Sequence, residues 1–204
     1  MSASINMNPM LTTNANGLFN VSSNGFTQGD AQADPAVKFA LASGLLSTSA
    51  TAPLWGGIPI SESIPAASAQ PGTNATGSSV IQSTTLANST GICVFNQAFH
   101  GITSPQSNAP SYLPGMSVNF YRFGSGARIP LRINPALVSL DGGLVTQQVS
   151  WDFTNNWITT YDGSNAFPVK ILTISTSGNK TVSYNSGTGY ATWIGSEAVA
   201  LCVI

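Results

Sequence analysis

From residue 80 onward the chain is a succession of short β-branched and aromatic runs: VIQSTTLA, ICVFNQAF, SVNFYRF, ARIPLRI, LVTQQVSWDF, WITTY, VKILTIST, KTVSYN and YATWIGSEAVALCVI. They are cut apart by SPQSNAP, GSG, DGG, TNN, DGSNAFP, SGN and NSGTG. Gly supplies positive φ, Pro fixes φ, and Asn, Asp and Ser bond back to their own backbone, so these interruptions read as turns. In VTQQVSWDF, residues Val145, Val149, Trp151 and Phe153 fall on one face, as a half-buried strand requires. Such spacing predicts an all-β body over 80–204 with about eight strands, a β-sandwich or small barrel. No internal repeat is present, which argues against a propeller or solenoid.

The first part of the chain has a different texture. Residues 1–33 are polar with isolated hydrophobes at Leu18, Phe19, Val21 and Phe26, which reads as an extended arm. DPAVKFALASG, 34–44, predicts a short helix: Asp34 as N-cap, Pro35 at N1, and Gly44 to end it. Apolar residues at 36, 37, 40, 41 and 45 would give that helix one buried face. Residues 47–79 are rich in Ser, Thr, Ala, Pro and Gly, and ASAQPGTNATGSS (67–79) reads as a loop. Inside them LWGGIPISESIP, 54–65, stands out. Pro59 lacks an N–H, so Ile58 and Ile60 are expected on an edge strand. Trp55 would be buried, either in its own domain or against a neighbouring subunit. Gly56 and Gly57 would allow a close approach or a sharp turn. The expected organisation is therefore an arm over 1–79 followed by the β body.

Charge narrows the class further. Only 6% of the 204 residues are Asp, Glu, Lys or Arg, with a net charge of −1, against about 25% in ordinary domains. A surface with so little charge suits a protein that lives packed against other protein. The start of the chain has no basic and apolar pattern of a secretory signal, and no apolar run is long enough for a membrane helix. The N-glycosylation triplets at Asn20, Asn74, Asn88 and Asn179 then read as chance in an Asn-, Ser- and Thr-rich chain. Cys93 and Cys202 lie in apolar runs and are expected as buried free thiols, with one bridge as the alternative.

Catalytic chemistry finds little support in the residues. His100 is the single histidine and has no matched Cys or carboxylate partner for a metal. Asp141 and Asp162 sit in DGG and DGS, where turns account for them. Asp152 and Glu197 could form a carboxylate pair, although nothing singles them out. No GxSxG, Walker loop or paired CxxC occurs. The chain reads as a non-enzyme without cofactor or metal. Arg122, Arg128 and Arg132, in YRFGSGARIPLRI, are half of the 6 basic residues. A pI near 5.6 and the lack of a further basic stripe argue against nucleic acid. A β-hairpin turned by the glycines is expected, its arginines pairing with carboxylates locally or across an interface.

SGLLS (43–47), PLWGGIPISESI (53–64), FNQAFHGI (95–102), GMSVNFYRFGSGARIPLRI (115–133) and the ending ATWIGSEAVALCVI carry a resemblance. Together, from about residue 17 to the end, they resemble the capsid decoration, or cement, proteins of tailed bacteriophages. The resemblance implies a structural virion protein with a small β-sandwich or jelly-roll-like body, on the outer surface of an icosahedral capsid and assembled in the host cytoplasm. It would bind the major capsid protein where subunits meet, as a dimer or trimer, with no membrane partner. Phe19, Phe26, Trp55, Ile58, Ile60, Arg122, Arg128 and Arg132 are the candidate contacts to the capsid or to a second copy. A receptor- or carbohydrate-binding tail module is the alternative, with Trp151, Trp157 and Tyr161 stacking on sugar rings.

Overall fold

The computed structural model describes residues 25–32, 34–63, 78–95, 109–140, 147–195 and 197–204. Expectations for 1–24, Phe19, Asn20, most of the 67–79 loop, Asn74, His100, Asp141 and Val145 lie outside the described residues. The fold is all-β. Strands β1 (Leu41–Leu46), β2 (Pro59–Ser63), β3 (Ser79–Gln82), β4 (Gly91–Cys93) and β5 (Ser117–Arg122) close into a barrel in the order β1-β3-β2-β4-β5. Only β1 and β3 run parallel; the other neighbours are antiparallel. A second sheet orders β6 (Arg128–Arg132), β12 (Val199–Val203) and β9 (Lys170–Ser175) as β6-β12-β9. Two hairpins complete it, β7 (Val149–Asp152) with β8 (Trp157–Thr160) and β10 (Thr181–Asn185) with β11 (Tyr190–Ile194).

Alternation fills the barrel. Leu46, Ile60, Val80, Val118 and Phe120 point inward and are fully buried. The apolar cluster runs on without a break into Ile129, Leu131, Ile171 and Cys202 of the second sheet. Cys93 and Cys202 are both buried free thiols, and burial pushes each thiol's pKa up. Turn chemistry operates where the residues indicated it. Asp162 accepts the N–H groups of Ser164 and Asn165, and Asn185 accepts those of Gly187 and Thr188.

Four expectations are corrected. The helix over 34–44 is a single turn, α1 (Pro35–Lys38), with Asp34 capping Ala36 N–H as expected. Residues from Leu41 form β1 instead, because an isolated helix of this length is marginal and β1 gains ladders on both edges. Gly44 is no helix stop: a Cβ there would lie 2.7 Å from the Ser78 carbonyl oxygen across the β1–β3 ladder. Second, β2 is not an edge strand, since β3 and β4 flank it. Pro59 is tolerated as its first residue, where its carbonyl accepts Ser83 N–H while Ile58 accepts Cys93 N–H.

Third, β5 and β6 do not form a hairpin. β5 completes the barrel against β1 and β4, whereas β6 pairs with β12. The GSG stretch therefore carries the chain from barrel to sheet, with Gly124 and Gly126 at positive φ and Gly126 N–H bonded to the Ile204 carbonyl. Fourth, the division at 79/80 falls within β3, and β1 and β2 are staves of the same barrel as β3–β5.

The end of the supposed arm is a buried stitch. Gln28 N–H bonds to the Lys180 carbonyl, Gly29 N–H to Pro130, and Gln32 N–H to Arg128, while Gly29's carbonyl accepts Phe95 N–H. The segment thus lies between barrel and sheet. Gln28 is completely buried, its side chain accepting Val182 N–H and donating to the Gly56 carbonyl. Gly29, at φ 74°, leaves no room for a Cβ, which would lie 2.2 Å from the Gly56 carbonyl carbon.

Candidate interaction surface

The opening motif is committed to the interior. Trp55 is 2% exposed and packs against Tyr184 at 5.2 Å between ring centroids. Its indole N–H has no acceptor among the described residues, so contact area holds it in place. Ile58 and Ile60 are fully buried. A Cβ on Gly56 would lie 2.4 Å from the Phe95 ring, and Gly57 turns at φ 84°. Of the two readings kept for Trp55, the structure places it in the chain's own core. Trp55, Ile58 and Ile60 therefore offer no contact to another molecule. Phe26 is half-buried, its N–H bonded to Asn179 Oδ1 and its carbonyl to Lys180 N–H. Asn179 is itself buried and donates to the Ser175 and Glu197 carbonyls, leaving its amide no freedom to carry a glycan.

The three arginines separate into three environments. Arg122 forms a two-pronged pair with Glu62, each nitrogen–oxygen distance being 2.7 Å, and lies over the Phe120 ring. By register both residues have the inward phase of the barrel, one at the end of β2 and the other at the end of β5. They close its mouth. The Glu62 side chain is 4% exposed and that of Arg122 51%. The Arg122 hydrogen bond holds the Glu62 carboxyl below the usual range. Solvent at the guanidinium limits the pair to about 1 kcal/mol.

Arg132 pairs with Glu197, donates to the Asn155 carbonyl and stacks over Trp157 at 4.9 Å. Glu197 also accepts from Thr181, so this cluster ties β6, β8 and β10 to the approach of β12. Arg128 is exposed and makes no side-chain ion pair among the described residues.

Asp152 and Glu197 each have partners of their own. Glu197 is tied to Arg132, while Asp152 caps its own turn through Thr154 and Asn155. Nor do Trp151 and Trp157 form an open platform. Trp151 is buried against Phe167, and Trp157 is covered by Arg132. No group of His, Cys, Asp and Glu able to hold a metal occurs among the described residues.

The surface that remains open is the barrel wall. Outward positions on β1 and β3, with the adjoining end of β5, are Leu41, Ser43, Leu45, Ser79, Ile81 and Ser117. None is charged. Leu45 is 45% and Ile81 43% exposed, and Ser43 and Ser117 bond to each other at 2.9 Å. Among the described residues the barrel thus turns its one charged pair into the mouth and presents an aliphatic and hydroxyl wall to the outside. Sequence reading missed this wall because it took 34–44 as a helix; in register as a strand, Ser43 and Leu45 alternate outward. No protein-family model, curated protein or solved structure matches the chain.

Proposed function

We propose that the protein is a non-enzymatic structural component of a bacteriophage virion, binding the outside of the capsid where major capsid subunits meet. The observation that carries this reading is the uncharged open wall of β1 and β3, with Leu45 and Ile81 exposed in a field of serines. Protein interfaces are depleted of charge at their centres, and covering such a wall strips water from no ion. The reading also rests on the resemblance of the quoted motifs to decoration proteins. The all-β architecture of the chain accords with the β-rich body that the resemblance implies. Many copies bound to the assembled shell stabilise it, because a ligand favours the state it binds.

Co-sedimentation with mature, DNA-filled capsids stripped of the protein, and with unexpanded procapsids, tests this. Saturable binding to mature shells that changes little with salt is the expected result, since burial rather than charge drives it. Binding to neither shell, with retention on a glycan array, would transfer the assignment to a carbohydrate-binding tail module.

A further inference from the structure

One end of the three-stranded sheet carries a row of unbalanced charge. Across β6, β12 and β9 the register sets Arg128 opposite Val203, and Val203 opposite Lys170. The adjoining row, Ile129, Cys202 and Ile171, is buried in the core, so alternation turns the charged row to the other face. Arg128 and Lys170 are exposed there, with half-buried Val203 between them. A β-bulge makes this arrangement. Thr173 pairs with Leu201 but Ile171 with Cys202, which leaves Leu172 as the extra residue of β9. In an unbroken register Ile171 would face Val203, and Lys170 would take the phase of buried Ile204. The bulge therefore aims Lys170 at the row of Arg128. Adjacent strands lie about 4.8 Å apart, so the two backbones are about 10 Å apart and both long side chains can meet above Val203.

No acid balances these two cations. Lys38, Arg128, Lys170 and Lys180 make no ion pair among the described residues, and of these only Arg128 and Lys170 share a strand row. At the far end of β6, by contrast, Arg132 has Glu197. Asp30, in the stitch beside β6, is shifted by burial alone, with no cation contributing. The Ile204 carbonyl oxygen, next to the row, already accepts Gly126 N–H.

We propose that Arg128 and Lys170 bind a phosphate group above Val203. The Arg122–Glu62 pair shows what a carboxylate requires: one guanidinium meets both of its oxygens. Two converging cations suit an anion with more charge and more acceptors. A phosphate monoester carries about −1.5 to −2 at neutral pH and three acceptor oxygens. That is enough for the fork of an arginine and the point charge of a lysine together. A single pair of cations is too little to follow a nucleic-acid backbone, which needs a run of phosphate contacts. The site lies on β6, β12 and β9 and shares no residue with the open wall of β1 and β3, so it stands or falls independently of shell binding.

Titrating the isotope-labelled protein with inorganic phosphate at neutral pH, and with sodium chloride at matched ionic strength, tests this by amide NMR shifts. Saturable shifts centred on Arg128, Lys170 and Val203, seen with phosphate and not with chloride, are the expected result. Arg128→Gln and Lys170→Gln should each weaken phosphate binding by about tenfold or more while the rest of the spectrum is unchanged. A parallel titration with glucose 6-phosphate separates the sources. Tighter binding than inorganic phosphate supports the site with the group carried on a larger molecule, and equal binding supports it with the free ion. Shifts that follow ionic strength alone, or unaltered phosphate affinity in both variants, would overturn the proposal.

Discussion

At the scale of single residues, backbone contact is what makes this chain sensitive to change. Gly29 and Gly124 both have positive φ, but only Gly29 faces another backbone, whereas Gly124 looks into open space. Gly29→Ala is therefore expected to cost about 3 kcal/mol or more, a left-handed residue plus a clash with Gly56, and Gly124→Ala about 1 kcal/mol. Urea unfolding of the two variants measures the difference. Gln28 acts through its amide. Gln28→Ala leaves the buried Val182 N–H without an acceptor and is expected to cost about 2 kcal/mol in the same assay.

Elements show which parts of the fold could be read from the residues and which could not. Strands β5 to β10 lie within runs marked by β-branched and aromatic residues, and the turns at Asp162 and Asn185 follow from local chemistry. The last run, YATWIGSEAVALCVI, divides into β11 and β12. Pairing was illegible, because the partners of β6 and the closure of β1 on β5 are set by contacts far apart in sequence. Leu41, Leu45 and Gly44 suit a helix face and its stop as well as a strand, and only the two flanking ladders decide between them. Gln28 carried no local sign of its burial. Its role appears only when Gly56 and Val182 come together around it.

Two carboxylates on these elements give opposite pH dependences. Glu62 is held below its usual range by Arg122, so its contribution is present above that range and lost as the pH falls through its folded value. Asp30, in the stitch, is raised by burial, so its contribution is present at low pH and lost as the pH rises through its folded value. Melting temperatures across the acid range should therefore fall less steeply for Glu62→Gln than for the unaltered protein. Asp30→Asn should gain stability at neutral pH relative to the unaltered protein, and that gain should vanish in acid. Parallel curves for all three proteins would contradict both assignments.

On the scale of the whole molecule, the low charge of the chain becomes a spatial arrangement. Glu62 and Arg122 neutralise each other at the barrel mouth, Arg132 and Glu197 do so between strands, and the open wall of β1 and β3 bears no charge. The stitch joins barrel to sheet, and one continuous apolar core runs through both. The most direct test is quantitative binding of Ile81→Asp and Leu45→Asp to stripped mature capsids, with Lys170→Asp, an exposed change on the second sheet, as the control. A charge buried at the centre of an interface is expected to weaken binding by tenfold or more. Loss of binding in the two wall variants, with unchanged spectra and normal binding by Lys170→Asp, is the result this account predicts. Undiminished binding by both wall variants would contradict it.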